Sequence, residues 1–389
     1  MADPNATNDY FAGRAEQFID RARNRRGLEN VGTGFEEGYA QFLSALDRDV
    51  EFDAAGRERT EGFIQGLFES RLVAQENLRR NPAYQEVDIR RPIIITGIPR
   101  SGTTALHKLM SIDPQFQGIE YWLANAPKPR PDSGAWASDP DYRMWSEILA
   151  AMIAASPEIF SEHGMHVDDV DESYLVLQQT FSNNTFPSLW DIPSYDRWYR
   201  DYDETPGYRY LADVMRLVGL AARNRTWLLK NPADTYALDA VLNTFPDARV
   251  IQTHRDPVDA LPSVVHLIGA SRWTLSSPDV DLRRLMLREV DFWAAAMQRA
   301  RTARSRLQRP AIDVEFAAFV RDQMGTVRRI YDALELRLTP EVEAQMQKWL
   351  ALHPRREGAL QRHAAETYGM SAGRIREVCA DYRGLRGYD

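Results

Sequence analysis

The stretch Arg91-Pro-Ile-Ile-Ile-Thr-Gly97-Ile-Pro-Arg-Ser-Gly-Thr-Thr104 passes from a β-branched apolar run into a glycine-bounded turn. A short apolar run of this kind, closed by glycine, reads as a strand buried on both faces of a parallel sheet. Thr103 to Met110 then reads as the helix that follows. The glycines let the backbone turn tightly, and successive amides at a helix N-terminus attract phosphate. The spacing Gly97-x-x-x-x-Gly102 is that of an NTPase phosphate loop, but Thr103 stands where such a loop carries lysine. That lysine grips the β- and γ-phosphates, so its absence argues against ATP or GTP hydrolysis. Arg100 instead puts a cation inside the loop.

Outward from this stretch, three further apolar runs predict strands: Thr226–Lys230, Arg249–Thr253 and Ala311–Glu315. Helical patterns fall between them, near 141–155, 172–181, 207–223, 234–244, 279–307 and 322–335, with another beginning at Asp256-Pro257. Strands alternating with helices predict an α/β fold, a P-loop-like parallel sheet flanked by helices. Residues 10–81 show apolar positions at threes and fours, ending at Asn81-Pro82. The expected division is a helical extension over 1–88, packed on an α/β domain with helical insertions over 89–389.

The chain has 389 residues, 44% of them hydrophobic and 27% charged, with 48 Lys+Arg against 56 Asp+Glu and a net charge of −8. This excludes disorder, collagen, coiled coil and a broad nucleic-acid-binding surface, but allows a local basic pocket. The single cysteine, Cys379, cannot form an internal disulfide or a cysteine-based metal centre. No apolar stretch approaches the roughly 20 residues that span a bilayer. The first residues lack the pattern of a signal peptide. A soluble, cytoplasmic protein is the expectation.

The octet Gly97–Thr104, followed by Ala105-Leu106-His107, resembles the 5′-phosphosulfate loop of sulfotransferases that use 3′-phosphoadenosine 5′-phosphosulfate (PAPS), in their bacterial Pro-Arg-Ser-Gly-Thr-Thr form. A second block is similar to the family's 3′-phosphate region. It comprises Trp227-Leu-Leu-Lys-Asn-Pro232, Phe245-Pro-Asp-Ala-Arg-Val-Ile-Gln-Thr-His-Arg-Asp-Pro257, and Ser263. Arg255, at a strand's carboxyl end, and Ser263, two turns into a helix, suit one phosphate approached from two elements. Weaker likeness lies in Arg355-Arg-Glu-Gly358, His363 and Tyr368-Gly369, which resemble a basic-glycine segment that closes over the nucleotide.

The resemblance implies PAPS as donor, no metal, and a hydroxyl or phenol of a small molecule, sugar or lipid as acceptor. Ser101, Gly102, Thr103 and Thr104 would hold the 5′-phosphate, Arg100 the leaving oxygen, Arg255 and Ser263 the 3′-phosphate, and Arg355 and Arg356 would add to the donor site. Lys230 is either a second catalytic cation or a strand-end lysine with its charge in water. The base that removes the acceptor's proton is His163 or the nearby His166, before the turn Val170-Asp171-Glu172, with Glu120 as a substitute. Two departures from relatives fall on the acceptor side: Leu123 follows Trp122 where an acidic residue is frequent, and Asp234 stands where a histidine is frequent. The aromatics of 120–200 wall an acceptor pocket or belong to ordinary core. The competing readings are a nucleotide-dependent phosphotransferase or kinase, and a nucleotide-binding relative without catalysis. A homo-oligomer is compatible with either.

Overall fold

The computed structural model describes residues 9–155, 165–275, 280–353 and 364–388. Five strands form one parallel sheet: β1 (Ile93–Gly97), β2 (Phe116–Gln117), β3 (Thr226–Lys230), β4 (Arg249–His254) and β5 (Ile312–Glu315). Their order across the sheet is β2-β3-β1-β4-β5, so β1 is central. The expected α/β fold is present, with boundaries within one residue at three predicted strands, while β1 starts two residues after Arg91. Only β2 escaped the sequence reading, because two residues are too few to show a period.

Every residue of β1 is buried, as an apolar run without alternation requires. The pleat sends its side chains to two cores. Ile94 packs with Leu229 and Val250 on one face, against Leu211, Met215, Leu238 and Val241 of the covering helices. Ile93 and Ile95 pack with Leu228 and Ile251 on the other, against Leu106, Leu109 and Met110. The last three belong to the helix Thr103–Met110.

Residues 10–81 fold largely into three helices, α1 (Ala15–Arg26), α2 (Glu36–Asp49) and α3 (Ala54–Arg80). Their apolar faces enter a third core, where Phe18, Phe42 and Phe68 meet Phe181, Trp190, Phe292 and Trp293. Arg71 of α3, fully buried, donates to the carbonyls of Val31 at 2.7 Å and Gln179 at 3.1 Å, tying the extension to the rest. Two predicted helices are interrupted. The first is α-helical only over Tyr174–Leu177 and turns 3-10 before Phe181, whose φ is 56°. The second is a 3-10 turn over Pro232–Thr235 followed by a helix at Leu238–Thr244. There the side chain of Thr235 is diverted to hold the end of β1, accepting from the Gly97 amide at 3.0 Å.

Candidate active site

Parallel register sets three carboxyl ends side by side. Gly97 of β1 lies opposite Thr253 of β4, and Ile95 opposite Lys230 of β3. The strand order reverses about β1, and such switch points open a crevice at the carboxyl edge. The phosphate loop enters that crevice. Gly97 has a φ of 136°, and a Cβ there would come within 2.3 Å of the Thr253 carbonyl oxygen, so glycine alone fits. Arg100 has a φ of 67°, in the left-handed region that bulky residues avoid. Such conformations cost on the order of 1–3 kcal/mol and gather at ligand clamps.

Two contacts hold Arg100 there. Arg255 donates through Nη1 to the Arg100 carbonyl at 2.8 Å, and Arg100 Nε donates to Ser263 Oγ at 3.0 Å. The Arg255 guanidinium also stacks on Phe316, 4.6 Å from the ring centre. Arg100, Arg255 and Ser263, predicted from stretches more than 150 residues apart in the chain, thus form one cluster. The Ser101 side chain serves the loop itself. Its buried hydroxyl donates to the Ile98 carbonyl and shares a 2.6 Å bond with Thr253 Oγ1. That hydroxyl closes the loop onto β4, leaving Ser101 its backbone amide to offer a phosphate. Thr103 is buried and Thr104 half-buried at the start of the helix.

On the other side of the loop stands Lys230, with its side chain 3% exposed. The alternative of a strand-end lysine with its charge in water is therefore excluded. Its Nζ donates to Thr104 Oγ1 at 3.2 Å and to the Glu172 carboxylate. Glu172 was not singled out from sequence as a functional residue. Its signal was present in the turn Val170-Asp171-Glu172, but only the fold brings that turn to β3. The Asp171 amide donates to the Ile119 carbonyl at 2.9 Å, and the Ser173 amide to the Lys230 carbonyl at 3.2 Å. Burial pushes the Glu172 carboxyl above its ordinary range, with Lys230 pulling the other way. Burial likewise raises Asp171 and carries the Tyr174 phenol well above its usual value, beside both carboxyls.

The remaining candidates fall elsewhere. His163, Arg355 and Arg356 lie outside the described residues. His166 is exposed, and its amide donates to Asp169 at 3.3 Å. Glu120 is buried and paired with Arg130 at 3.0 Å, with Arg225 at the amino end of β3 also acting on it. Asp234 is buried under Tyr208, which donates to it at 2.5 Å, and Asn231, at 2.6 Å. His107 is buried in the helix after the loop, and desolvation pushes it down to about 3, so it stays neutral. Among the described residues no group of three or more His, Cys, Asp or Glu could hold a metal ion.

The aromatics of 120–200 belong largely to the core. Phe186, Trp190, Tyr195 and Tyr199 belong to the core shared with α1–α3. Tyr121 and Trp145 meet edge to face at 6.1 Å, and Tyr121 reaches Met152 Sδ at 4.0 Å. Burial and the nearby Asp171 raise the Tyr121 phenol, while Trp145 packs against the core on the Ile94 face of the sheet.

These features agree with the comparisons to known proteins. The family model described as "Sulfotransferase family" matches residues 92–340, more than half of the chain. The structure resembles sulfotransferase STF1 from Mycobacterium tuberculosis H37Rv, with a TM-score of 0.85, 29% identity, and coverage of 94% of this chain and 98% of that one. It also shares the fold of sulfotransferase STF9 from Mycobacterium avium, with a TM-score of 0.84 and 24% identity over 99% of this chain and 98% of that one. Among curated proteins it is 26% identical over 184 residues to omega-hydroxy-beta-dihydromenaquinone-9 sulfotransferase Stf3 of Mycobacterium bovis. That match takes in 45% of this chain and 45% of the relative, so the chain spans under half the length of the curated relative. Phosphate loop, parallel sheet and family match converge: the chain belongs to the sulfotransferase family.

Proposed function

We propose that this protein transfers a sulfuryl group from PAPS to a hydroxyl of an apolar acceptor. The observation that carries the reading is the two-sided crevice at the carboxyl edge, with Arg100, Arg255 and Ser263 on one side of the loop and Lys230 with Glu172 on the other. The strained loop and its cations suit a phosphosulfate and a separate 3′-phosphate. When bound, the donor supplies the activated sulfuryl group, with adenosine 3′,5′-bisphosphate as its leaving group. The chain's own residues do the rest. Arg255 and Ser263 hold the 3′-phosphate, and the amides of Ser101 to Thr104 hold the 5′-phosphate. Arg100 and Lys230 neutralise charge developing at the leaving oxygen and the transferred group. Glu172, whose carboxyl burial makes more basic, takes the proton from the acceptor hydroxyl.

The acceptor side supports an apolar partner. Tyr121 and Tyr174 stand near Asp171, with Trp145 and Met152 against Tyr121, and the relative named above is called an omega-hydroxy-beta-dihydromenaquinone-9 sulfotransferase. The test is transfer from labelled PAPS to a panel of alcohols and phenols with and without long apolar chains. Labelled product from apolar alcohols is expected. No transfer to any acceptor, with metal-dependent transfer from a nucleoside triphosphate instead, would overturn the reading.

A further inference from the structure

The arginine assigned to the 3′-phosphate is held from behind by the helix Ala380–Arg386, at three neighbouring points. The residue before it, His254, bonds through Nδ1 to the Tyr382 hydroxyl at 2.8 Å, while its Nε2 meets Asp313 at 2.8 Å. The residue after it, Asp256, takes Arg383 Nη1 on both carboxylate oxygens, at 2.6 and 2.5 Å. The same carboxylate accepts the Val258 amide at 3.0 Å, so it also caps the helix Pro257–Leu275 that carries Ser263. The third point lies beneath the guanidinium. Glu315 immediately precedes Phe316, the ring on which Arg255 stacks, and it accepts from Arg386 Nε at 2.8 Å and from the Tyr388 hydroxyl at 2.6 Å. His254 and Arg383 are buried, at 1% and 5% exposure, so water competes little for these bonds.

We propose that Tyr382 and Arg383 are positioning residues, which aim Arg255 at the 3′-phosphate by fixing the backbone on either side of it. Phosphate recognition by arginine is directional, because its planar fork must match the oxygens. A clamp on residues 254 and 256 leaves the Arg255 side chain between two anchored backbone positions, over a ring whose own neighbour is anchored too. The helix Ala380–Arg386 then serves 3′-phosphate binding without touching the nucleotide. This proposal rests on the reading of Arg255 given above.

The test compares two probes, adenosine 3′,5′-bisphosphate and AMP, which lacks the 3′-phosphate, by calorimetric titration of the full chain. Arg255→Ala is measured first, and loss of the preference for the bisphosphate is expected. If that variant keeps the preference, the 3′-phosphate reading itself is wrong and the clamp falls with it. Given that loss, Arg383→Ala is expected to weaken the bisphosphate about tenfold while AMP stays within about twofold, a size typical of one charge-assisted contact. Arg383→Lys should restore most of the preference. Tyr382→Phe removes only a hydroxyl and should shift it in the same direction by less. Arg383→Ala removes half of a buried ion pair. If it fails to fold, Arg383→Lys and Tyr382→Phe decide, since either should still narrow the preference measurably. A preference equal to wild type in the folded variants, or an equal weakening of both probes, overturns the proposal.

Discussion

The two sides of the crevice are built from different materials. Beside β1 and β4 the site is a strained backbone turn with guanidinium groups and a hydroxyl, Arg100, Arg255 and Ser263. Beside β3 it is one lysine near the half-buried Glu172, Asp171 and Tyr174 and the buried Tyr121, whose protons are held more tightly by desolvation. The first side is fixed charge for anions, and the second is proton chemistry. The comparison teaches that pH should act on the acceptor side and leave donor binding nearly untouched.

The sharpest way to break this division is Glu172→Gln, which keeps a partner for Lys230 but removes the base. It should lower kcat about a thousandfold, with affinity for adenosine 3′,5′-bisphosphate within about twofold. A base works deprotonated, so wild-type kcat/KM should rise with pH through the raised pKa of Glu172, above the ordinary carboxyl value of 4.5. The variant should lose that limb. A surviving limb would assign the proton to another group, and the division would need redrawing.

Arg100→Ala probes the other side and should lower kcat about a hundredfold, leaving the position of the acid limb in a pH profile unchanged. The double variant with Glu172→Gln sharpens the comparison further. If the sides act independently, the losses multiply, whereas strong non-additivity would show one coupled unit.

The same division explains what could be read from sequence. Arg100, Arg255 and Ser263 lie in two short stretches where strand, turn and helix follow one another, so local rules locate them. Glu172 and Lys230 are 58 residues apart and meet only because the Asp171 and Ser173 amides bind the turn to Ile119 and to the end of β3. No spacing encodes that meeting. Histidines drew attention near Glu172 because an unperturbed carboxylate is a poor base at neutral pH, and burial, which changes that, is not visible in a linear pattern. Lys230 was ambiguous for the same reason. The strand lengths were legible because buried parallel strands are unbroken apolar runs. The broken helices were not, since the side chain that departs from the pattern, Thr235, serves the phosphate loop.

The smallest effect concerns the link between the sides. Asp234 props the turn that leads from Lys230 to the start of the loop, accepting from Asn231 and Tyr208, and burial pushes its carboxyl from 3.8 up to about 7. The folded protein therefore keeps this proton where the unfolded chain has released it. Between these values folding binds a proton, so this contribution to stability is full below about pH 3.8 and is lost as pH rises through about 7. Glu204, raised to about 8 by burial, acts in the same direction. Thermal unfolding from pH 5 to 8 should show the wild-type Tm falling by several degrees. Asp234→Asn, which keeps an oxygen acceptor but has no proton to lose, should fall less steeply, by the share of the slope owed to Asp234. An unchanged slope would mean that Asp234 is ionised in the folded state, with Tyr208 and Asn231 carrying its charge. The turn beneath Lys230 would then belong with the fixed charges of the donor side.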